Sequence, residues 1–143
     1  IGQKMAEVLI LLGSHHSMVV HGEDGMDELT LGARTQIWEV QNGMVNTYSI
    51  SPAELAMPQV PVENIKGGTR EENANMLRQI LQGQAIPARD VVLLNSAAVL
   101  VVGGKVHDIK EGLSLAREAI DSGAASAKLD GLVQLSQQLG QER

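Results

Sequence analysis

An α/β fold is what this sequence predicts: a small mixed sheet (a short parallel strand plus a β-hairpin) packed by about five helices. Three observations carry it. Near the start a helical stretch feeds directly into a short apolar strand, the step from which parallel α/β units are built. Two alternating segments face each other across Asn42-Gly43, a two-residue turn whose positions both tolerate positive φ. From Thr69 onward the pattern is helical and punctuated by caps and glycines.

In order, Met5, Val8, Leu9 and Leu12 fall at helical spacing, so Gln3 to Leu12 is expected to form an amphipathic helix stopped at Gly13. Ser17 to Val20 follows as a short buried strand. Thr35 to Val40 and Met44 to Ile50 form the hairpin. Ser51-Pro52-Ala53-Glu54 has an N-cap, a first-turn proline and an acid at capping-box spacing. Pro58 and Pro61 prevent a long helix there, leaving Met57 to Lys66 as an extended connection. Thr69 and Glu72 open the next helix, with Asn73, Met76, Leu77, Ile80 and Leu81 in register and Gly83 as its stop. Ala88 to Val102 is apolar on nearly every face, which predicts deep burial, and Gly103-Gly104 ends it. Asp108 and Glu111 cap a helix that stops at Gly123. The last helix is expected from Ala125 to Leu139, with Leu129, Leu132, Val133, Leu135 and Leu139 as its apolar positions.

At 143 residues this is one domain, large enough to bury a core without staples. Trp38 and Tyr48 are the only aromatics and Phe is absent, so the core must be aliphatic. Stacking platforms for single-stranded nucleic acid are therefore missing, and a net charge of −6 opposes phosphate-backbone binding. The absence of cysteine excludes disulfides, zinc-thiolate sites and thiol nucleophiles, and fits a cytoplasmic protein. The longest apolar tract, Val91 to Val102, is too short to span a bilayer. The chain starts at Ile1 without an initiator Met and enters a helix almost at once, the expectation being a piece excised from something longer.

Chemistry concentrates in Met18 to Glu28. An apolar run ends in His21-Gly22, and Glu23, Asp24, Asp27 and Glu28 crowd the loop that follows. Carboxylates so close repel one another unless a cation lies between them. Adjacent Asp27 and Glu28 suit a magnesium ion held by one or two carboxylates, with water and phosphate oxygens completing its shell. The same residues also suit a solvated acidic loop, and spacing alone leaves both open. His15 and His16 are expected at a surface or strand edge. His21 is expected to orient the loop through a hydrogen bond. Gly67-Gly68-Thr69 could offer N–H groups to an anion, but without a P-loop lysine a plain turn and N-cap is favoured. Asn95 in its apolar helix is expected to be buried and hydrogen-bonded, tying helices together.

Taken together these blocks resemble anthranilate phosphoribosyltransferases, of the nucleoside phosphorylase/phosphoribosyltransferase superfamily. The likeness runs from Leu12-Gly13 through Val19-Val20-His21-Gly22-Glu23-Asp24-Gly25-Met26-Asp27-Glu28, Asn42-Gly43 and Ser51-Pro52-Ala53-Glu54. It continues through Gly67-Gly68, Glu72-Asn73-Ala74 and Asn95 to Leu100, and ends with Gly112 to Ala124. The blocks stand in the family's order and cover nearly the whole chain.

The resemblance implies transfer of the phosphoribosyl group of phosphoribosyl diphosphate to the amino nitrogen of anthranilate, a step of tryptophan biosynthesis. It further implies a Mg2+ cofactor bound by the family's Asp-Glu pair at Asp27 and Glu28, no nucleic-acid or membrane partner, and a homodimeric intact protein. The family's N-terminal helical domain, its glycine-rich diphosphate loop and its anthranilate-positioning residues do not occur in this sequence. The chain thus resembles a truncated C-terminal portion of the large α/β domain; the fragment alone is expected to be inactive and, through an unpaired sheet edge and an exposed apolar face, to self-associate or to pair with the remainder of the enzyme. A pyrimidine nucleoside phosphorylase shares the fold but needs no acidic metal pair. A non-catalytic, nucleic-acid-binding relative is opposed by the acidic charge and scarce aromatics.

Overall fold

The computed structural model describes residues 1–141. Its elements are α1 (Gly2–Leu11), β1 (His16–Gly22), β2 (Thr35–Gln41), β3 (Met44–Ile50), α2 (Arg70–Leu81), α3 (Pro87–Val102), α4 (Ile109–Asp121) and α5 (Ala124–Gln141). Short 3-10 turns at Pro52–Leu55 and Val62–Ile65 join β3 to α2. Five helices on a small sheet match the expected α/β architecture.

The sheet itself corrects one expectation. Its order is β1-β2-β3 and both pairings are antiparallel, with Met18 opposite Glu39 and Ile37 opposite Tyr48. No parallel strand is present among the described residues, so the sheet is not mixed. The reason is the loop after β1, which reverses the chain and returns it as β2 against the same strand. That pairing also lengthens β1 beyond Ser17–Val20, because His16 still finds Gln41 and Gly22 still finds Thr35. The hairpin turn forms as expected, with φ of 53° at Asn42 and 75° at Gly43, the type I′ signature.

Alternation along the strands separates two faces. Met18, Val20, Ile37, Tyr48 and Ile50 join Leu93, Leu94, Ala97 and Val101 of α3 and Leu113 and Ala116 of α4 in the main core. Trp38 and Val40 lie on the opposite face, where Trp38 lies over Gly2 of α1 and leaves no room for a Cβ there. In α1 the buried residues are Gly2 and Ala6, whereas Met5, Val8 and Leu12 of the expected apolar stripe are largely exposed. Small residues let this helix approach the indole; the longer ones project past it.

Helices α3 and α4 cross closely because Gly112 lies against Ala97, whose carbonyl oxygen would be 2.8 Å from an added Cβ. Burial of α3 is less complete than its composition predicts: Val91, Leu94 and Ala98 are buried, but Val99 is 70 % exposed. The last helix shows the same departure, since Leu132, Val133, Leu135 and Leu139 are all exposed. The caps are as expected. Thr69 and Glu72 bond reciprocally, and the Asp108 carboxylate accepts from Glu111 N–H at 2.9 Å. The connection from Met57 to Lys66 is extended apart from its one 3-10 turn. No helix among the described residues is long and apolar enough to cross a membrane.

Candidate functional site

The acidic loop leaves β1 at Gly22 and rejoins the sheet at Thr35. Its first turn is closed by the Gly22 N–H donating to the Met26 carbonyl at 2.8 Å and the Gly25 N–H to the Gly22 carbonyl at 2.9 Å. Gly25 has φ of 91°, which a side chain would oppose. The Asp24 carboxylate turns back into this loop. It accepts from the Thr30 hydroxyl at 2.6 Å and from the Met26 N–H at 3.3 Å. Gly22 and Gly32 make room for it, since a Cβ on either would lie 2.5 Å from an Asp24 carboxylate oxygen.

Thr30 is the hub. Its buried hydroxyl also accepts from the Gly32 N–H at 2.9 Å, and its own N–H donates to the Thr35 hydroxyl at 3.0 Å. On either side Leu29 and Leu31 plug into the core. The Val60 N–H donates to the Leu31 carbonyl at 3.0 Å, which ties the extended connection to the same loop. From α3, Asn95 bonds both backbone groups of Leu29.

Between these anchors Asp27 and Glu28 stand exposed, and neither carboxylate accepts a hydrogen bond or ion pair from the described residues. Arg34, the cation of this loop, is turned away: it donates to the Ser49 hydroxyl at 2.8 Å and lies 3.5 Å from Glu54. The surface around positions 23–28 is thus uncompensated negative charge. An anion can approach it only with a cation between.

Among the described residues no group of three or more His, Cys, Asp and Glu side chains is placed to hold a metal ion. Two adjacent hard oxygen donors on an anchored loop still fit magnesium, which keeps several waters and completes its octahedron with phosphate oxygens. They do not fit zinc, which takes three or four protein ligands.

The other candidates fall into structural roles. His21 is exposed and makes no side-chain hydrogen bond among the described residues, so Asp24, not His21, orients the loop. His16 finds a partner that its spacing concealed, Glu39 on the neighbouring strand at 2.7 Å. The other Glu39 oxygen accepts from the Tyr48 hydroxyl at 2.9 Å. Burial, then the hydrogen bond and charge of Glu39, push the Tyr48 phenol well above its ordinary value. At Gly67-Gly68-Thr69 the Asn73 side chain accepts from the Gly68 N–H at 2.8 Å, so the turn is closed by its own residues. Asn95 ties α3 to the acidic loop, and not helix to helix as its position in the sequence suggests.

Residues 1–126 match the family model described as the glycosyl transferase family, a/b domain. The anthranilate phosphoribosyltransferase of Rhodopseudomonas palustris (strain HaA2) is 48% identical over 134 residues, 94% of this chain and 40% of the relative. That of Thermomicrobium roseum is 47% identical over 142 residues, 97% of this chain and 41% of the relative. Among solved structures, anthranilate phosphoribosyltransferase from Thermus thermophilus superposes with a TM-score of 0.84 at 40% identity, over 93% of this chain and 39% of that one. The enzyme from Saccharomyces cerevisiae in complex with PRPP and Mg superposes with a TM-score of 0.81 at 25% identity, over 90% of this chain and 38% of that one. The chain spans about two-fifths of the length of the curated relatives it matches.

Proposed function

We propose that this chain, which belongs to the glycosyl transferase family through its a/b domain, supplies the metal-binding side of an anthranilate phosphoribosyltransferase site. The single observation that carries this is the pair of exposed carboxylates, Asp27 and Glu28, on an anchored loop of a chain 48% identical to such enzymes. In the reaction the C1–O bond of phosphoribosyl diphosphate breaks and its electron pair leaves with diphosphate. The anthranilate amino nitrogen bonds to C1 and releases one proton. Bound Mg2+ supplies stabilisation of the negative charge that grows on the leaving diphosphate.

The chain's own residues provide the rest of this side of the site. Asp27 and Glu28 hold the ion. Asp24, Thr30 and Thr35 hold the loop, and the core seats Leu29 and Leu31. Phosphoribosyl diphosphate and anthranilate are the substrates of this proposal, and a homodimer is its assembly. The 143 residues alone are expected not to turn over. Assay of both substrates with Mg2+ tests this: robust product from the chain alone rejects that expectation. For the whole protein, phosphoribosyl transfer to anthranilate is expected, and phosphorolysis of thymidine without such transfer overturns the assignment.

A further inference from the structure

The geometry points to Asn95 as a positioning residue for the Asp27–Glu28 pair, an inference that rests on the metal-binding role proposed for those acids. Asn95 lies midway along α3, sixty-six residues from the loop it holds. Its Oδ1 accepts from the Leu29 N–H at 3.0 Å, while Nδ2 donates to the Leu29 carbonyl at 2.9 Å and to the Val91 carbonyl at 3.0 Å. The carboxamide therefore pairs both backbone groups of one residue, as a neighbouring strand does. Its second N–H locks the amide onto its own helix. Of the side chains of this size only an amide both donates and accepts in this way.

The consequence falls on the neighbouring acids. The Leu29 N–H lies in the peptide plane that begins at the Glu28 Cα, so holding it fixes where that Cα sits and narrows the directions in which the Glu28 side chain can leave the backbone. Leu29 itself is 2% exposed, which leaves water little access to replace a lost partner. Leu93, Leu94 and Ala97 around Asn95 are buried, so the clamp ties the loop to the packed core. At the far end the Asp24–Thr30 hydrogen bond closes the same segment. Only residues 25–28 lie between the two fastenings, and the pair sits at their end. Ligand-orienting partners of this kind set metal affinity without touching the metal.

Mn2+ is the probe, titrated into the full chain and read by electron paramagnetic resonance. Replacing the amide by an apolar side chain of the same size, Asn95→Leu, is expected to weaken Mn2+ binding roughly ten- to a hundredfold. By reciprocity, Mn2+ or Mg2+ must strengthen the clamp by the factor with which the clamp strengthens binding, so Mg2+ is expected to slow exchange of the Leu29 amide in the unmodified chain. Unchanged Mn2+ affinity in a folded Asn95→Leu variant overturns the assignment. So does Leu29 exchange that ignores the metal, whether or not the variant folds. The Asp27→Ala/Glu28→Ala chain separates the two levels. If it binds Mn2+ like the unmodified chain, the metal-binding role of the pair is lost. If it does not, while Asn95→Leu does, only the positioning role is lost.

Discussion

Tyr48 is the chain's single phenol, so its titration can be followed without interference. Burial and the Glu39 carboxylate both disfavour the phenolate, which raises the native value. The stabilisation this represents is complete below about pH 10, where the unfolded phenol ionises, and is lost as pH rises through the higher native value. Absorbance at 295 nm should show phenolate forming at higher pH in the native chain than in urea; coincident curves would contradict the His16–Glu39–Tyr48 network. Thr30 offers a second test at this scale. Thr30→Val keeps the shape but leaves the Gly32 N–H without its acceptor and the Asp24 Oδ2 without its hydroxyl donor. We expect a loss of about 2 kcal/mol in urea unfolding, and no loss would mean that the loop is not held there. At this scale the sequence marked Asp27 and Glu28 as a pair but showed no separate role for Asp24. Its partner Thr30 lies six residues on, and the space it occupies is made by Gly22 and Gly32, a relation that exists only after the loop has closed.

Helices α3 and α4 meet where side chains are smallest. Gly112→Ala would add helix propensity but place a methyl 2.8 Å from the Ala97 carbonyl oxygen, a backbone atom with little freedom to yield. Overpacking should prevail, with a net destabilisation of about 1–3 kcal/mol measured by thermal or urea unfolding; a neutral or stabilising result would show that the helices can separate at no cost. Elements were the most legible level, because caps and turns are local chemistry. Thr69-Glu72, Asp108-Glu111 and Asn42-Gly43 act within four residues of one another and form as the sequence implies. Pairing direction was less legible. Nothing local in Met18 to Val20 states which strand will lie beside it, and the antiparallel return of β2 depends on a loop closed by Thr30 and Thr35. Apolar periodicity likewise identified the helices without saying how much of each stripe is covered, as α1 and α5 show.

For the whole molecule, three features lie open: β1 ends the sheet, Leu11 and Leu12 are exposed at the end of α1, and Val99 is exposed on α3. Unpaired strand edges beside apolar surface favour association. Sedimentation velocity of the 143-residue chain is expected to show concentration-dependent oligomers, and a clean monomer at high concentration would contradict this. The metal-binding role of the acidic loop is the proposition on which the functional account stands. Its most direct test is the Mg2+ dependence of phosphoribosyl transfer by the whole protein, with and without Asp27→Ala/Glu28→Ala. The substituted protein should need roughly tenfold or more Mg2+ for half-maximal rate, with a lower rate at saturation. Superimposable Mg2+ curves for the two proteins would show that these carboxylates do not hold the ion.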